Sequence, residues 1–579
     1  MTIVNQAADR APRQVLVCSA WPYASGPRHL GHVAGAYLPP DIFARYHRMA
    51  GNNVLFVSGS DMHGTPIMVA ADNLGLSARE VAELNHRNIV DAFTRLGLTY
   101  DLYTTTLTPI HYRVTQEFFL QLHEAGYLFT ESTLAMYDPE VNRFLPDRYV
   151  EGTCPHCGYE DARGDQCDNC GRTLDPTDLI NPRSKLSGAT PITRETTHFF
   201  LDLPKFSDRL TTWVEAHREI WRPAVTNFVL SWLREGLIPR AITRDLDWGV
   251  PIPLPGYDDK RIYVWFDAVI GYLSASIEWA ERQGRPDAWK DWWQLDADGA
   301  EPGRIYNFIG KDNIPFHALI WPAMLLGYGG LALPYDVPAN EFLTLDGKKL
   351  SSSRTYTSRL PTLPEALDLF DADALRFFLA INAPEVRDTD FSWDEFQRRN
   401  NDELVATYGN AVHRLLSFLQ SRYDGVVPAA GKLSAADQAM LDQTAAAFSG
   451  TAERIEAVRL RDGLRGLMSL AQGLNRYLDE AAPWKTIKTA PDQAATALWT
   501  ALQVVSALRV LTAPYLPFSA QRLHEYLGDE GKVDELIWQP RELPAGRQLP
   551  KPVPLFRKLE DDELVTLIDR LGPESGSSL

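Results

Sequence analysis

The sequence predicts an α/β protein: a parallel sheet, interrupted by an insertion and followed by an all-helical region. Three observations predict it. The apolar runs Gln14–Ala20 and Asn53–Val57 flank a turn and a helix, which makes a βαβ unit with parallel strands. From about residue 110 to 262 that pattern gives way to prolines, turns and a cluster of cysteines. Late in the chain, Leu498, Leu502, Val505 and Leu508 recur at helical spacing, and the Ala445–Leu474 region has the same character.

The bulk numbers fit this reading. At 579 residues the chain is long enough for several domains. Its 45% hydrophobic and 23% charged content is that of a globular protein. The longest apolar stretch, Ala318–Leu333, is broken by Pro322, Gly327, Gly329 and Gly330, so no membrane span is expected. No apolar signal core precedes the first strand, and the plain expectation is a cytoplasmic protein. A net charge of −18 argues against a generic nucleic-acid coat, but local patches can still hold an RNA that must be released at every turnover.

The first βα turn carries the most chemistry. Trp21-Pro-Tyr23-Ala-Ser-Gly-Pro-Arg-His29-Leu-Gly31-His32 places two histidines three apart on one face at a helix start. A helix N-terminus already favours anions, and Gly31 lets a flat group approach the backbone. Two imidazoles there can donate to a polyphosphate whose charge grows in a transition state. Asp61 and His63 fall just past the second run, at the same carboxyl edge, where open parallel sheets bind ligands. Runs at Arg261–Phe266 and Ile305–Ile309 read as further strands that would bring Asp267, Lys311 and Asp312 to that edge. Pro39 and Pro40 are expected to break or kink the first helix, and Glu365–Leu379 reads as one helix.

Cys154-Pro-His-Cys157 and Cys167-Asp-Asn-Cys170 are two Cys-x-x-Cys knuckles with Gly158 and Gly171 relieving the turns. Four thiolates close a tetrahedral zinc site and leave no open position, so the metal would be structural. Paired disulfides or a redox site are the rivals, disfavoured in a reducing compartment. His156 is surplus to a four-sulfur site, and Cys18 reads as buried core. Asp346-Gly-Lys348-Lys349-Leu-Ser-Ser352-Ser-Arg354 is small, cationic and aperiodic, as in a mobile loop that closes a lysine over phosphates.

The His29–His32 and Lys349–Ser353 segments, in this order, resemble the His-Ile-Gly-His and Lys-Met-Ser-Lys-Ser signatures of class I aminoacyl-tRNA synthetases. The runs Ala20-Trp-Pro-Tyr-Ala, Ser60-Asp-Met-His-Gly-Thr-Pro-Ile67, Tyr263-Val-Trp-Phe-Asp-Ala268, Ile309-Gly-Lys-Asp312 and Ala482-Pro-Trp484 narrow the resemblance to the methionyl-tRNA synthetases, from about Val15 to about Phe556. The resemblance implies a Rossmann-type domain in two halves (1–109 and 263–341) split by a zinc-binding insertion (110–262). A stem-contact connector with the lysine loop (342–395), an all-α anticodon-binding domain (396–570) and a tail (571–579) would come after it. It implies ATP with Mg²⁺, L-methionine, and initiator and elongator methionine tRNAs as partners, one structural Zn²⁺, and a monomer. No span is large enough for a separate editing domain, which disfavours the leucine, isoleucine and valine enzymes. A class I enzyme for cysteine is the alternative, and a zinc-containing RNA-binding protein without catalysis a more distant one.

It further implies roles for particular residues. His29 and His32 would hold the phosphates, and Lys349 would meet charge on the leaving pyrophosphate. Gly31, Gly310, Asp312 and Ser352 would complete the nucleotide site, with Asp312 accepting from ribose hydroxyls. Asp61 would bind the α-ammonium group and Arg244 would orient Asp61. Ala20, Trp21, Tyr23, Trp265, Ala268, Tyr272, Phe316 and His317 would form a polarisable pocket for the thioether. Asn410, Arg414 and Trp484 would read the anticodon, whose unstacked bases offer a face to an indole and edges to Asn and Arg. Cys154, Cys157, Cys167 and Cys170 would hold the zinc. One departure stands out: Ser352 replaces the second lysine of the loop signature. Lys348 or Arg354 could compensate, and the resemblance does not settle which.

Overall fold

In a computed structural model the described residues are 12–146, 149–164, 167, 169, 174–345, 348–349 and 361–570. The central sheet is five-stranded and wholly parallel: β1 Gln14–Ser19, β2 Asn53–Ser60, β3 Leu102–Thr105, β4 Arg304–Gly310 and β5 Ala339–Asn340. The strand order is β5-β4-β1-β2-β3, with β1 paired in register to both β2 and β4. Apolar side chains fill β1, β2 and β4 on both faces, as expected where helices cover a parallel sheet. Because all strands run the same way, Ala20 and Trp21, Asp61 and His63, and Lys311 and Asp312 leave the sheet at one edge.

The Arg261–Phe266 run is not a central strand. Only Arg261–Ile262 is extended, and it pairs antiparallel with Thr243–Arg244. Val264–Arg282 is a 19-residue helix with one face on β2 and β3, so Trp265 and Asp267 sit in its first turns. The apolar run alone does not distinguish a strand from a buried helix, and length decides here for the helix. Glu365–Leu379 is likewise two helices, Leu363–Leu369 and Ala372–Ile381, parted at extended Phe370. At the first helix, a three-residue turn Leu30–His32 opens into π-helical Val33–Tyr37, and a new helix Leu38–Met49 starts with prolines in its first turn.

The insertion is built on a long antiparallel hairpin, Leu128–Asp138 with Ile192–Leu201. A small sheet, Val150–Thr153 with Ala162–Arg163 and Ile180–Ser184, carries the cysteines. Helices Ser207–Ala216 and Pro223–Glu235 return the chain to the main core. Beyond β5, strands Leu343–Leu345, Lys348–Lys349 and Thr389–Phe391 make a three-stranded sheet. Of the lysine segment expected as a loop, Lys348–Lys349 is a short strand and the rest lies outside the described residues.

The C-terminal part is helical over Asn410–Tyr423, Ala435–Glu456, Leu460–Ala481, Pro491–Thr512 and Pro517–Tyr526. Contrary to the expectation from sequence, Pro491–Thr512 is long and apolar enough to cross a membrane. It is instead the central helix of the bundle, with 89% of its apolar window buried. Residues 536–560 depart from the helical expectation. Pro540, Pro544, Pro550, Pro552 and Pro554 remove backbone donors, and the segment runs as a strap that buries Trp538, Leu543, Leu549, Leu555 and Leu559. The Trp538 backbone N–H donates to Met49 O, which ties the strap to the catalytic sheet's first long helix.

One buried polar hub joins these parts. Arg376, fully buried, donates to Asp41, Leu96 O, Pro514 O and Tyr515 O. Burial pushes the Asp41 carboxyl up, but Arg45, Arg376 and the Thr99 hydroxyl outweigh it and hold the carboxyl below its usual range.

Candidate active site

His29 caps the short turn at the end of β1. Its Nδ1 accepts from the Gly31 and His32 N–H groups at 3.1 and 3.4 Å, and His32 Nδ1 accepts from the His29 N–H at 3.3 Å. An imidazole that accepts at Nδ1 carries its proton on Nε2 when neutral. The two rings stack at 3.6 Å between centroids, so both donor edges lie side by side. Burial, aided by Arg28, pulls His29 down to about 3, which keeps it neutral at physiological pH. The arrangement suits donation to phosphate oxygens.

The connector closes on this turn. Thr362 bridges His29, the Leu363 N–H donates to Arg28 O, and strand Leu343–Leu345 packs against Leu30–His32. Its partner strand brings the Lys349 backbone opposite Thr344. The Lys349 side chain, Ser352 and Cys170 lie outside the described residues. Gly310 ends β4, and Asp312 comes next in a 3₁₀ turn, exposed at the sheet edge. Lys311 is engaged by Glu341 at 2.5 Å and Asp388 at 2.8 Å, so it fastens connector to sheet.

The aromatic candidates converge. Trp265 and Phe316 stack at 4.0 Å, 12° from parallel, and Tyr23 meets Trp265 edge-on at 5.9 Å. Trp21 meets Tyr272 edge-on at 6.5 Å, and Tyr272 OH bonds His317 Nε2 at 2.7 Å. His317 Nδ1 is bonded to Asn313 O, and burial pulls the ring down to about 4. Ala20 and Ala268 are buried beside these rings. A cavity of about 140 Å³ opens between Tyr23, His63, Arg244, Trp248, Tyr263 and Trp265.

Asp61 is buried and bridged to Tyr23 by backbone pairing. Burial first, then nearby Asp267, push its carboxyl well above the usual range, against a hydrogen bond from the His63 N–H. The expected Asp61–Arg244 pair does not form. Arg244 sits on a two-residue strand whose partner leads into Tyr263, and its guanidinium lies 4.0 Å over that ring while donating to Thr243 O.

Sequence reasoning brought His63 and Asp267 to this edge but missed their pairing and their partners Tyr112 and His111. His63 Nδ1 bonds Asp267 at 2.8 Å and its Nε2 bonds Tyr112 OH at 3.1 Å, with His111 close by. Burial raises the Asp267 carboxyl well above its usual range and pulls His63 down to about 3, which favours the uncharged form of each. Asp267 Oδ1 is buried with no partner, next to Asp61. The His-Gly after Asp61 and the Asp two residues beyond Trp265 were the available signals. Glycines also matter. A Cβ on Gly59 would lie 2.3 Å from the Trp21 ring, one on Gly271 2.7 Å from it, and one on Gly64 2.2 Å from Tyr23.

Two sites lie away from this edge. Cys154, Cys157 and Cys167 offer sulfurs within 4.8 Å of one another, a soft donor set that fits zinc. The Cys157 thiol is pulled down to about 6, first by the Tyr159 backbone. In the helical bundle, Arg414 lies 4.7 Å over the Trp484 ring. Exposed Asn410 is one turn before Arg414 on the same helix face, so the three candidates share a surface.

Comparison with known proteins decides the family. Residues 15–416 match the family described as tRNA synthetases class I (M), and residues 427–575 the anticodon binding domain of methionyl tRNA ligase. The chain belongs to the class I methionyl-tRNA synthetases. It is 51% identical to the methionine–tRNA ligase of Roseiflexus castenholzii over 97% of this chain and 99% of that one. It is 49% identical to that of Thermobifida fusca over 96% and 98%. Among solved structures, Mycobacterium tuberculosis methionyl-tRNA synthetase bound by methionyl-adenylate superposes with a TM-score of 0.77 at 25% identity, covering 94% of this chain and all of that one. The chain is thus an aminoacyl-tRNA ligase, with the catalytic sheet and the helical anticodon domain that the sequence predicts. As a methionyl-tRNA synthetase it also retains the paired histidines of the first turn.

Proposed function

We propose that this methionine–tRNA ligase works through the residues gathered at the carboxyl edge of the sheet. The methionine carboxylate attacks the α-phosphorus of ATP and pyrophosphate leaves. A 3′-terminal hydroxyl of a methionine tRNA, initiator or elongator, then attacks the adenylate carbonyl and AMP leaves. The carrying observation is the stacked His29–His32 pair after β1, with both Nδ1 atoms accepting from backbone N–H groups so that the Nε2–H edges are the free donors. Neutral donors fixed by the backbone cost no reorganisation when charge develops on the phosphates.

Lys349 would meet the charge on pyrophosphate, and Gly31, Gly310, Asp312 and Ser352 would frame the nucleotide. Asp61 would take the α-ammonium group, with Asp267 adding a second buried oxygen nearby. Trp21, Tyr23, Trp265, Tyr272, Phe316 and His317, with Ala20 and Ala268 giving room, would enclose the thioether. Arg244, held over Tyr263, would act on the cavity wall rather than on Asp61. Mg²⁺ accompanying ATP would share the phosphate charge. Cys154, Cys157, Cys167 and Cys170 would hold one zinc, whose role is to fix the knuckle. Asn410, Arg414 and Trp484 would read the anticodon. We place the domain limits at 109/110, 262/263, 341/342 and 395/396, and expect a cytoplasmic monomer.

ATP–pyrophosphate exchange across the amino acids tests this reading. Exchange with methionine is expected, exchange with cysteine would favour the sister specificity, and no exchange would remove catalysis. Lys349→Ala should slow adenylate formation far more than it weakens methionine binding, since a group acting on developing charge shows mainly in the rate. Ser352→Ala should do much less, and equal effects would refute the role of Lys349.

A further inference from the structure

A second cavity, of about 220 Å³, is lined by none of the residues assigned to methionine activation. One side is Pro315, Leu319 and Ile320, and the other is Trp232, Glu235, Leu237 and Arg240. Two links fix its position relative to the reacting centre. Trp265 lines the first cavity and stacks flat on Phe316, whose chain neighbour Pro315 lines the second, so the stacked pair links the two. Arg240 lines the second cavity and Arg244 the first, and four residues span at most about 14 Å.

Its chemistry is that of a base-stacking platform. Trp232 is half-buried at the end of helix Pro223–Glu235, with Phe228 one turn earlier at 5.5 Å. Arg240 lies 5.5 Å over the Trp232 ring. Among the described residues no carboxylate pairs with Arg240 and no carbonyl accepts from it. Beside them Ile238 is 60% exposed, on a loop that Gly236 turns with a φ of +92°. A mainly apolar slot with an indole and a guanidinium, bordered by the exposed Glu235, matches how proteins hold unpaired nucleotides without reading their sequence.

We infer that the Trp232–Arg240 cavity binds one of the unpaired nucleotides preceding the 3′-terminal nucleoside of the tRNA, stacking its base on Trp232 with Arg240 at its phosphate or base edge. This rests on the tRNA-charging reading. A base held there would leave the terminal hydroxyl about one or two nucleotides away, within reach of the adenylate in the first cavity.

The test uses the intact enzyme and full-length methionine tRNA. Preformed adenylate is mixed with tRNA, and transfer is followed in a single turnover. Trp232→Ala is expected to slow transfer about tenfold or more, the usual worth of one stacked base. Trp232→Phe should retain most of the rate, and Arg240→Gln should lose a smaller factor. Methionine-dependent ATP–pyrophosphate exchange should be unchanged in all three. A tRNA with an abasic nucleotide at the stacked position should slow the unmodified enzyme by the same factor and Trp232→Ala no further. Arg240→Gln, which disturbs no core contact, carries the test should Trp232→Ala lower the melting temperature. Unchanged transfer, exchange falling in parallel with transfer, or abasic losses that multiply with the Trp232→Ala loss at every unpaired position would overturn the assignment. Absence of exchange in the unmodified enzyme would overturn the ligase reading itself, which separates the two failures.

Discussion

At the residue scale the site is governed by what burial does to charge. Asp61 and Asp267 are buried carboxyls pushed well above the usual range, and the cation that would offset them is the substrate's ammonium group. Below the raised folded value Asp61 is protonated and offers no charge. As pH rises from the usual carboxylate range near about 4, binding an ammonium group must release that proton, so affinity increases until the carboxyl is ionised without ligand. The ligand-free protein loses stability over the same window, because folding opposes ionisation there. Methionine should therefore raise the melting temperature more at higher pH, and calorimetry in two buffers should detect proton release. A pH-independent methionine affinity with no proton release would refute the carboxyl role. Steric limits are as sharp. A Cβ at Gly59 would meet both the Trp21 ring at 2.3 Å and Thr104 O at 2.6 Å. Because one neighbour is backbone, Gly59→Ala should cost about 1–3 kcal/mol by urea denaturation and raise KM for methionine more than KM for ATP.

At the element scale, irregular helix marks the functional edges. The π-helical segments Val33–Tyr37, Phe316–Ile320 and Arg399–Gly409 abut His32, carry Phe316 and His317, and precede Asn410. A π turn adds a residue and rotates the helix beyond it, which re-aims side chains without breaking the helix. Regular 3.6 periodicity does not announce such insertions. The cysteine knuckle is the other local device: its small sheet has strands of two to five residues, and its apolar cluster is small and separate from the main core. A metal bound there would contribute much of its order. One zinc per chain is expected by metal analysis. Cys157→Ser should lower the thermal stability of the insertion while leaving ATP binding within about twofold, and a zinc content well under one per chain would refute the four-sulfur site.

At the scale of the whole molecule, chemistry and RNA reading are far apart in sequence and joined by shared core. The Arg376–Asp41 hub and the Trp538 strap connect the first long catalytic helix to the connector and the helical bundle. Trp484 lies beyond this junction, half-buried and covered by Arg414, not sealed in the core. Trp484→Ala should weaken tRNA charging by about tenfold to a hundredfold, the worth of one base–aromatic stack, and leave methionine-dependent exchange nearly intact. Equal losses in both activities, with a lowered melting temperature, would make it a core residue.

The sequence by itself determined what local chemistry specifies. Continuous apolar runs, the helical spacing of leucines, the His29–His32 turn, the Cys-x-x-Cys knuckles and the composition of the lysine segment are all short-range, and each was legible from β1 to the bundle. Only the tertiary structure decided where burial outranks local pattern. Val264–Arg282 is a helix because its apolar face fits β2 and β3, and Pro491–Thr512 is a core helix because its neighbours cover it. Arg244 turns to Tyr263 instead of Asp61 because strand pairing sets its direction. The His63–Asp267 pair joins residues 204 positions apart. No local pattern encodes such a contact, because it exists only when the packed core brings two distant elements together and excludes the water that would otherwise solvate them.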